Sequence, residues 1–159
     1  IYSGTVSAAT EGTILGIPSI AVSLATYGPA DFRYAAKFAR KLALIVARKG
    51  LPEGTLLNVN VPALPEDEIR GVVLTRQGRA IWNDVFELRR DPANKEYYWL
   101  TGALEDSDTG LHFDQAAVRS QYISVTPIHY DLTDYPMLET MKRWGMQKLK
   151  QQRTRGYKQ

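Results

Sequence analysis

A short segment near the start of the chain combines hydroxyl groups with a glycine. Ser3, Gly4 and Thr5 stand at the opening of a stretch that reads as a helix. The first amide N–H groups of a helix lack intrahelical partners and lie at the positive end of its macrodipole. Gly4 lets the backbone approach a ligand, and Ser3 and Thr5 add donors. The segment can therefore bind phosphate, although the same residue types also form an ordinary helix cap.

Several other polar residues could take part in such chemistry, and each has a plainer interpretation. Arg76 and Arg79 could reach a substrate phosphate, or they could be solvated or paired at a subunit contact. Asn58 and Asn60 alternate on one face of a strand and could line a crevice, or they could bond to neighbouring loops. Ser23, near the end of another strand, has the same two interpretations. These residues stay candidates.

An acidic loop invites interpretation as a metal site. Carboxylates and an imidazole recur there at Asp106, Asp108, His112 and Asp114. The spacing lacks the third oxygen ligand before the glycine and the distal Glu of a calcium loop, so a solvated loop is favoured. His112 and His129 are too far apart in sequence to indicate a zinc pair or a catalytic triad. No metal ligand is predicted within this sequence.

Aromatic and basic residues raise the alternative of a nucleic-acid-binding module. Tyr97, Tyr98 and Trp99 could stack a base, or they could supply packing in a hairpin. The net charge is +3, and the excess lies largely between residues 142 and 158. A solvated face or a helix swapped within an oligomer explains that excess better. Nucleic acid is therefore the less favoured partner.

Composition indicates an ordinary globular protein. Of the 159 residues, 44% are apolar and 23% are charged, and none is Cys. The absence of Cys excludes disulfides, thiolate metal sites and a cysteine nucleophile. No apolar run reaches the length of a membrane span, and the first residues do not resemble a signal peptide. We therefore expect a cytoplasmic protein that makes no use of a membrane.

The first part of the chain alternates between helix and strand patterns. Apolar spacing, with glycine and proline at the boundaries, predicts two helices and two strands in the order helix, strand, helix, strand, at residues 4–15, 19–24, 32–49 and 56–62. Asp31 is expected to cap the second helix. This alternation predicts an α/β fold, a Rossmann-like, doubly wound and mostly parallel sheet.

The character of the sequence changes after Pro65. Residues 71–75 resemble an antiparallel strand, and a hairpin arm is expected from two strands that flank a turn at 91–94. A short helix, a β-branched strand and a C-terminal helix follow, at residues 115–119, 122–127 and 136–152. We therefore divide the chain into part of an α/β core (1–65), a β-rich arm with a returning strand (66–134), and a C-terminal helix with a basic tail (135–159).

Motifs along most of the chain resemble those of the SurE family, the stationary-phase survival proteins. The opening Tyr-Ser-Gly-Thr-Val at residues 2–6 and the Gly-Ile-Pro-Ser that follows are similar to the central segment of that family. Later pieces agree in order, including Leu-Asn-Val-Asn-Val-Pro, Thr-Arg-Gln-Gly-Arg, Tyr-Trp-Leu-Thr-Gly and Tyr-Ile-Ser-Val-Thr-Pro. The resemblance implies a nucleotidase that hydrolyses nucleoside 5′- or 3′-monophosphates, with activity on short polyphosphate in some members.

The same resemblance implies where the parts of the active site lie. Ser3 and Thr5 match the catalytic phosphate side of the family's site, and Ser3, Gly4 and Thr5 would bind the substrate. The divalent metal ion, Mg²⁺ or Mn²⁺, is held in the family by residues upstream of this segment, so its ligands are expected before Ile1. Family members assemble as homodimers or homotetramers through hairpin arms and C-terminal parts. A non-catalytic assembly fragment is the remaining alternative.

Overall fold

The computed structural model describes residues 3–105 and 107–146. Helix α1 (Gly4–Ile14) begins at Ser3, whose Oγ accepts a hydrogen bond from the Val6 N–H at 3.3 Å. It ends at Ile14, one residue before the predicted end. Gly16 adopts φ +78°, and the N–H groups of Gly16 and Ile17 turn back to the carbonyls of Thr13 and Gly12. Leu15, which follows the helix, is 68% exposed.

Helix α2 (Arg33–Lys49) connects two parallel strands that pair directly with each other, β1 (Ile20–Ala25) and β2 (Thr55–Pro62). Phe32, rather than Asp31, is the residue at its N-cap position, although Asp31 Oδ1 accepts from the Arg33 N–H at 3.0 Å. The helix ends at Gly50, which has φ +73°. This β1–α2–β2 unit is the alternation that the sequence predicted, and parallel pairing follows because a helix can carry the chain back across the sheet.

Helices cover both faces of these strands. On one face α1 buries Ala9 against Ala21 and Leu56. On the other face α2 buries Ala35 against Val59 and Val61. Residues 56 and 59 of β2 point to opposite faces because side chains alternate along a strand. The prediction of an α/β fold with a doubly wound sheet is confirmed.

The sheet continues through two later strands in the order β1–β2–β6–β3. Strand β6 (Tyr122–His129) runs antiparallel to β2, whereas β3 (Gly71–Leu74) runs parallel to β6. The prediction that β3 belongs to an antiparallel pattern is therefore wrong. Between β3 and β6 the chain passes through helix α3 (Asp114–Arg119), which gives the crossover that a parallel neighbour requires.

A hairpin arm forms a second sheet, built from β4 (Ile81–Arg90) and β5 (Glu96–Glu105). Its turn is as predicted. Asp91 Oδ1 accepts from the N–H groups of Ala93 and Lys95 at 2.8 and 2.9 Å. Asn94 adopts φ +62°, a conformation that Asn tolerates well. The arm is thus closed by its own turn.

The last described helix is α4 (Tyr135–Arg143). Asp134 caps it by accepting from the Met137 N–H at 2.8 Å. The helix is shorter than the predicted 136–152, because the chain turns at Gly145 with φ +67°. The remainder of that prediction, with the basic tail, lies outside the described residues. Among the described residues, no helix has the length and apolar character that a membrane crossing requires.

Candidate phosphate-binding site

The Ser-Gly-Thr segment is an exposed helix start. Ser3, Gly4 and Thr5 are all solvent-exposed. Ser3 Oγ accepts from the Val6 N–H, which leaves its hydroxyl hydrogen available to a ligand. The first amides of α1 have no carbonyl one turn earlier in the helix to bond. The segment therefore presents hydroxyl and amide donors together at the positive end of α1.

Gly4 leaves open space at this helix start. A Cβ built on Gly4 would meet no heavy atom within 4 Å among the described residues. Gly12, in the same helix, differs, because a Cβ there would lie 2.5 Å from Ser19 Oγ. Gly4 is also absent from the glycines of positive φ. Neither backbone conformation nor packing within the described chain requires glycine at residue 4, and close approach by a ligand is a reason that remains.

The helix start lies near the carboxyl ends of the parallel strands, where ligands of α/β proteins bind. Helix α1 leads directly into β1 and packs against it, so α1 begins near the end where β1 finishes. Strands β1 and β2 are parallel and end together at Ala25 and Pro62. Ligands of α/β proteins bind outside the carboxyl ends of the parallel strands. The position of Ser3 agrees with that rule.

The two candidate arginines lie at the opposite end of the strands from Ser3, where β1 and β2 begin. Arg76 and Arg79 follow β3, which runs parallel to β6 and therefore opposite to β2. Arg76 stacks on Phe113, with its Cζ 4.6 Å from the ring centroid. The topology of this chain does not bring either arginine together with Ser3.

Two carboxylates of the acidic loop accept hydrogen bonds from within the protein, whereas Glu105, Ser107, Thr109 and His112 are exposed, as expected of a solvated loop. Asp108 is only 7% exposed, and its Oδ2 accepts from the Arg79 N–H at 2.6 Å. Asp114 Oδ1 accepts from the Gly78 N–H at 2.9 Å. Arg119 Nη2 donates to the Asp108 carbonyl at 2.9 Å. The carboxylates thus fix the segment that leads into the arm, and Asp106 lies outside the described residues.

A buried hydroxyl cluster escaped sequence reasoning. Thr75 Oγ1 lies 2.7 Å from both Ser124 Oγ and Thr126 Oγ1. All three residues are buried. The signal was present in β6, because Ser124 and Thr126 alternate and must share a face. Their partner, Thr75, is about fifty residues away in sequence, so the hydrogen bonds could not be predicted from the sequence.

The asparagine candidates belong to the same polar face of the sheet. Asn60 pairs in register with Ser23 on β1 and with Ser124 on β6, and Asn58 pairs with Thr126. Both asparagines are half-buried. They point to the face that α1 covers, because they share the parity of Leu56. Their place on that face leaves both earlier interpretations open.

The aromatic candidates lie on the arm. Trp99 pairs with Glu87 in the hairpin, and Arg89 lies over its ring at 5.0 Å. Tyr98 is 71% exposed and points to the opposite face of the arm. Tyr97 and Trp99 share the other face, so the three aromatics do not form one stacking surface, and all three are exposed.

Within the described ranges, no group of three His, Asp or Glu side chains is placed to hold a metal ion. His112 lies beside Phe113, with ring centroids 4.1 Å apart, and His129 accepts the Asp131 N–H at Nδ1, 3.1 Å away. The two imidazoles serve separate loops. The cation implied by the family resemblance finds no fitting ligand set among these residues.

Two exposed carboxylates have lowered pKa values. The hydrogen bond from the Arg33 side chain, together with the Arg33 N–H, lowers the pKa of Asp31 to about 2. Asp131 has a pKa of about 2 because Thr133 and the Tyr135 hydroxyl donate to it. The same contact raises the pKa of Tyr135. These carboxylates stay ionised at neutral pH and fix their turns rather than exchange protons.

The fold and the exposed helix start define a class: an α/β protein with helices on both faces of its parallel strands and Ser-Gly-Thr at their carboxyl edge. The profile of one family, described as Survival protein SurE, matches residues 1–84. This chain belongs to the SurE family.

Relatives agree over most of this chain. A 5′-nucleotidase SurE from Symbiobacterium thermophilum is 52% identical over 145 residues, which are 91% of this chain and 57% of that protein. One from Chlorobaculum tepidum is 50% identical over 147 residues, which are 92% of this chain and 56% of that protein. The crystal structure of the SurE protein from Aquifex aeolicus is similar with a TM-score of 0.76 at 40% identity, covering 91% of this chain and 58% of that one. The chain spans slightly more than half the length of these relatives.

Proposed function

We propose that this chain is part of a phosphomonoesterase that hydrolyses nucleoside 5′- or 3′-monophosphates to nucleoside and phosphate, with short polyphosphate as a further substrate. Relatives about 50% identical are named 5′-nucleotidase SurE, which supports the proposal. The structural observation that supports it is the exposed helix start at Ser3, Gly4 and Thr5, where hydroxyl and amide donors lie together and a Cβ on Gly4 would meet no heavy atom of the described residues within 4 Å. These three residues are the proposed substrate-binding residues.

In the proposed reaction, the residues of this chain stabilise negative charge. The amide groups at the start of α1 and the hydroxyls of Ser3 and Thr5 donate to the non-bridging phosphate oxygens. Ser3 and Thr5 are therefore the proposed catalytic residues. One preorganised donor of this kind is commonly worth about 2.7–4 kcal/mol of barrier.

A divalent cation, Mg²⁺ or Mn²⁺, belongs to the proposal through the family resemblance. When bound, such a cation polarises the phosphoryl group and lowers the pKa of a water molecule. The described residues hold no ligand set that fits such a cation.

The arm supports a further part of the proposal, assembly into a homodimer or homotetramer. Two cross-strand pairs on one face of the arm, Phe86 with Leu100 and Leu88 with Tyr98, are between 54% and 71% exposed. Apolar faces of this kind are typical of protein interfaces. We also propose the division of the chain into a core (1–65), an arm (66–134) and a C-terminal part (135–159). A cytoplasmic location is a further proposal.

Phosphate release from nucleoside monophosphates by the complete natural polypeptide tests the proposal. Hydrolysis that requires Mg²⁺ or Mn²⁺ and changes little between low and moderate salt is the expected result. The alternative of a nucleic-acid-binding module predicts no hydrolysis and an affinity for oligonucleotides that falls steeply with salt. A protein that neither hydrolyses nucleotides nor binds nucleic acid would favour a non-catalytic assembly role.

A further inference from the structure

A cleft of about 590 Å³ opens where β1 and β2 end. Leu24 of β1 and residues 63–66 after β2 form one side of it. The first turns of α2, with Arg33, Tyr34 and Lys37, form the other. This volume is in the range of small-molecule sites, roughly 300–1,000 Å³.

The cleft lies outside the carboxyl ends of two parallel strands whose flanking helices pack on opposite faces of the sheet. Helix α1, which precedes β1, packs on one face, and α2, which follows β1, packs on the other. Ligands of open α/β sheets bind outside the carboxyl ends of the parallel strands. Ser3, Gly4 and Thr5 do not line the cleft. They begin α1 on the opposite face of the sheet, at the same end of β1, so a ligand that contacts both places has to cross the end of β1.

The walls of the cleft suit a flat ring joined to a polar group. Leu24, Leu64 and Pro65 are apolar, and Tyr34 is half-buried against the core, which holds its ring in place. Flat aromatic ligands gain from such surfaces. A polar pair crosses between the two sides, with Lys37 Nζ 2.7 Å from Glu66 Oε2.

The polar pair remains accessible to a ligand. The Lys37 and Glu66 side chains are 52% and 53% exposed. The carboxylate of Glu66 can accept hydrogen bonds from sugar hydroxyls, as acidic residues do for ribose in other α/β proteins. Lys37 can donate to base or sugar oxygens. The cleft therefore offers both surfaces that a nucleoside needs.

We infer that this cleft binds the nucleoside part of the substrate while the start of α1 binds its phosphate. The inference rests on the proposed nucleotidase function and specifies it further. Residues of the cleft then determine specificity for nucleotides over other phosphate esters. They contact the base and the ribose rather than the phosphoryl group.

Filling the cleft provides the test. Ala63 is exposed and lines the cleft, so Ala63→Trp adds a large side chain there without disturbing the core. Ala47→Trp is the matched control, because Ala47 is exposed at the far end of α2 and does not line the cleft. Each variant of the complete polypeptide is assayed with adenosine monophosphate, uridine monophosphate and glycerol 2-phosphate. Thermal melting checks that each variant is folded.

The specificity ratio decides the outcome. For Ala63→Trp we expect kcat/KM for the nucleotides, divided by that for glycerol phosphate, to fall at least tenfold, about 1.4 kcal/mol of lost discrimination. Ala47→Trp should leave this ratio unchanged. A folded Ala63→Trp variant with an unchanged ratio overturns the inference, whether its activity is normal or reduced equally on all substrates.

Two further measurements separate this inference from the proposed function. Glu66→Gln should raise KM for the nucleotides more than for glycerol phosphate, since the carboxylate is lost at constant size. Calorimetric titration with adenosine and uridine, which carry no phosphate, measures the cleft independently of turnover. If the parent hydrolyses no ester yet binds nucleosides, and Ala63→Trp abolishes that binding, the proposed function fails and the cleft assignment stands. If neither the parent nor its variants bind nucleosides or discriminate between esters, the cleft assignment fails.

Discussion

Replacing Gly4 by Ala separates ligand binding at the start of α1 from the stability of the helix. A Cβ at residue 4 meets no heavy atom within 4 Å, so it causes no clash within the described chain. Alanine is also the better helix former, by up to about 1 kcal/mol. We therefore expect Gly4→Ala to melt at or slightly above the temperature of the parent.

Gly4→Ala should reduce turnover far more than it changes the stability of the protein. The added methyl group occupies the space through which phosphate oxygens approach the first amides of α1. Losing one such donor corresponds to about 2.7–4 kcal/mol, or roughly 10²–10³-fold in rate. Thr5→Val, which removes one hydroxyl at nearly constant size, should show a loss of the same order.

The assay compares kcat/KM for a nucleoside monophosphate with the melting temperature, in the complete natural polypeptide. Ala8→Gly is the mirror control, because Ala8 is exposed on α1 beyond its first turn. It should lower stability by about 1 kcal/mol and leave kcat/KM unchanged. A Gly4→Ala variant that melts normally and keeps kcat/KM within threefold of the parent would refute the assignment of phosphate to this helix start.

Three further predictions concern the framework of the fold. Thr75→Val should destabilise the protein by about 1–3 kcal/mol in urea unfolding, because two buried hydroxyls lose their partner at 2.7 Å; no change would show that the cluster is not a stabilising feature. Asp114→Ala should speed amide exchange at Gly78, whose N–H the carboxylate accepts at 2.9 Å, and unchanged exchange would contradict this role of the carboxylate. The Asp131 carboxyl should titrate by NMR near pH 2 and nearer its ordinary value in Tyr135→Phe. Because its folded pKa is lowered, the stability it contributes is present at neutral pH and is lost as pH falls from about 4 towards 2; an ordinary midpoint in the parent would contradict this.

Local signals predicted most of the first half of the fold. The ends of α1 and α2 could be predicted because Gly16 and Gly50 adopt positive φ there, a conformation that is unfavourable for most other residues. The turn of the arm was readable because Asp91 and Asn94 carry their own turn chemistry. The Ser3 cap was likewise local. Features set by neighbours within a few residues could be predicted.

Features that depend on residues distant in sequence could not be predicted. The direction of β3 is set by β6, which lies some fifty residues later in the chain. Asp108 looked solvated because its acceptor role depends on Arg79, which is 29 residues away. The cleft forms only when α2 and the residues after β2 come together. The resemblance to a family identified the candidate phosphate residues, whereas the residue types alone favoured a plain helix cap.

The most direct test of the central claim is an amide NMR titration of the complete polypeptide with a nucleoside monophosphate. The amide resonances of Gly4 and Thr5 should shift the most and show the shortest distances to phosphorus, with smaller shifts along the cleft. If the largest shifts and the phosphorus contacts fall at Arg76 and Arg79 instead, at the opposite end of the strands, the helix start does not bind the phosphate.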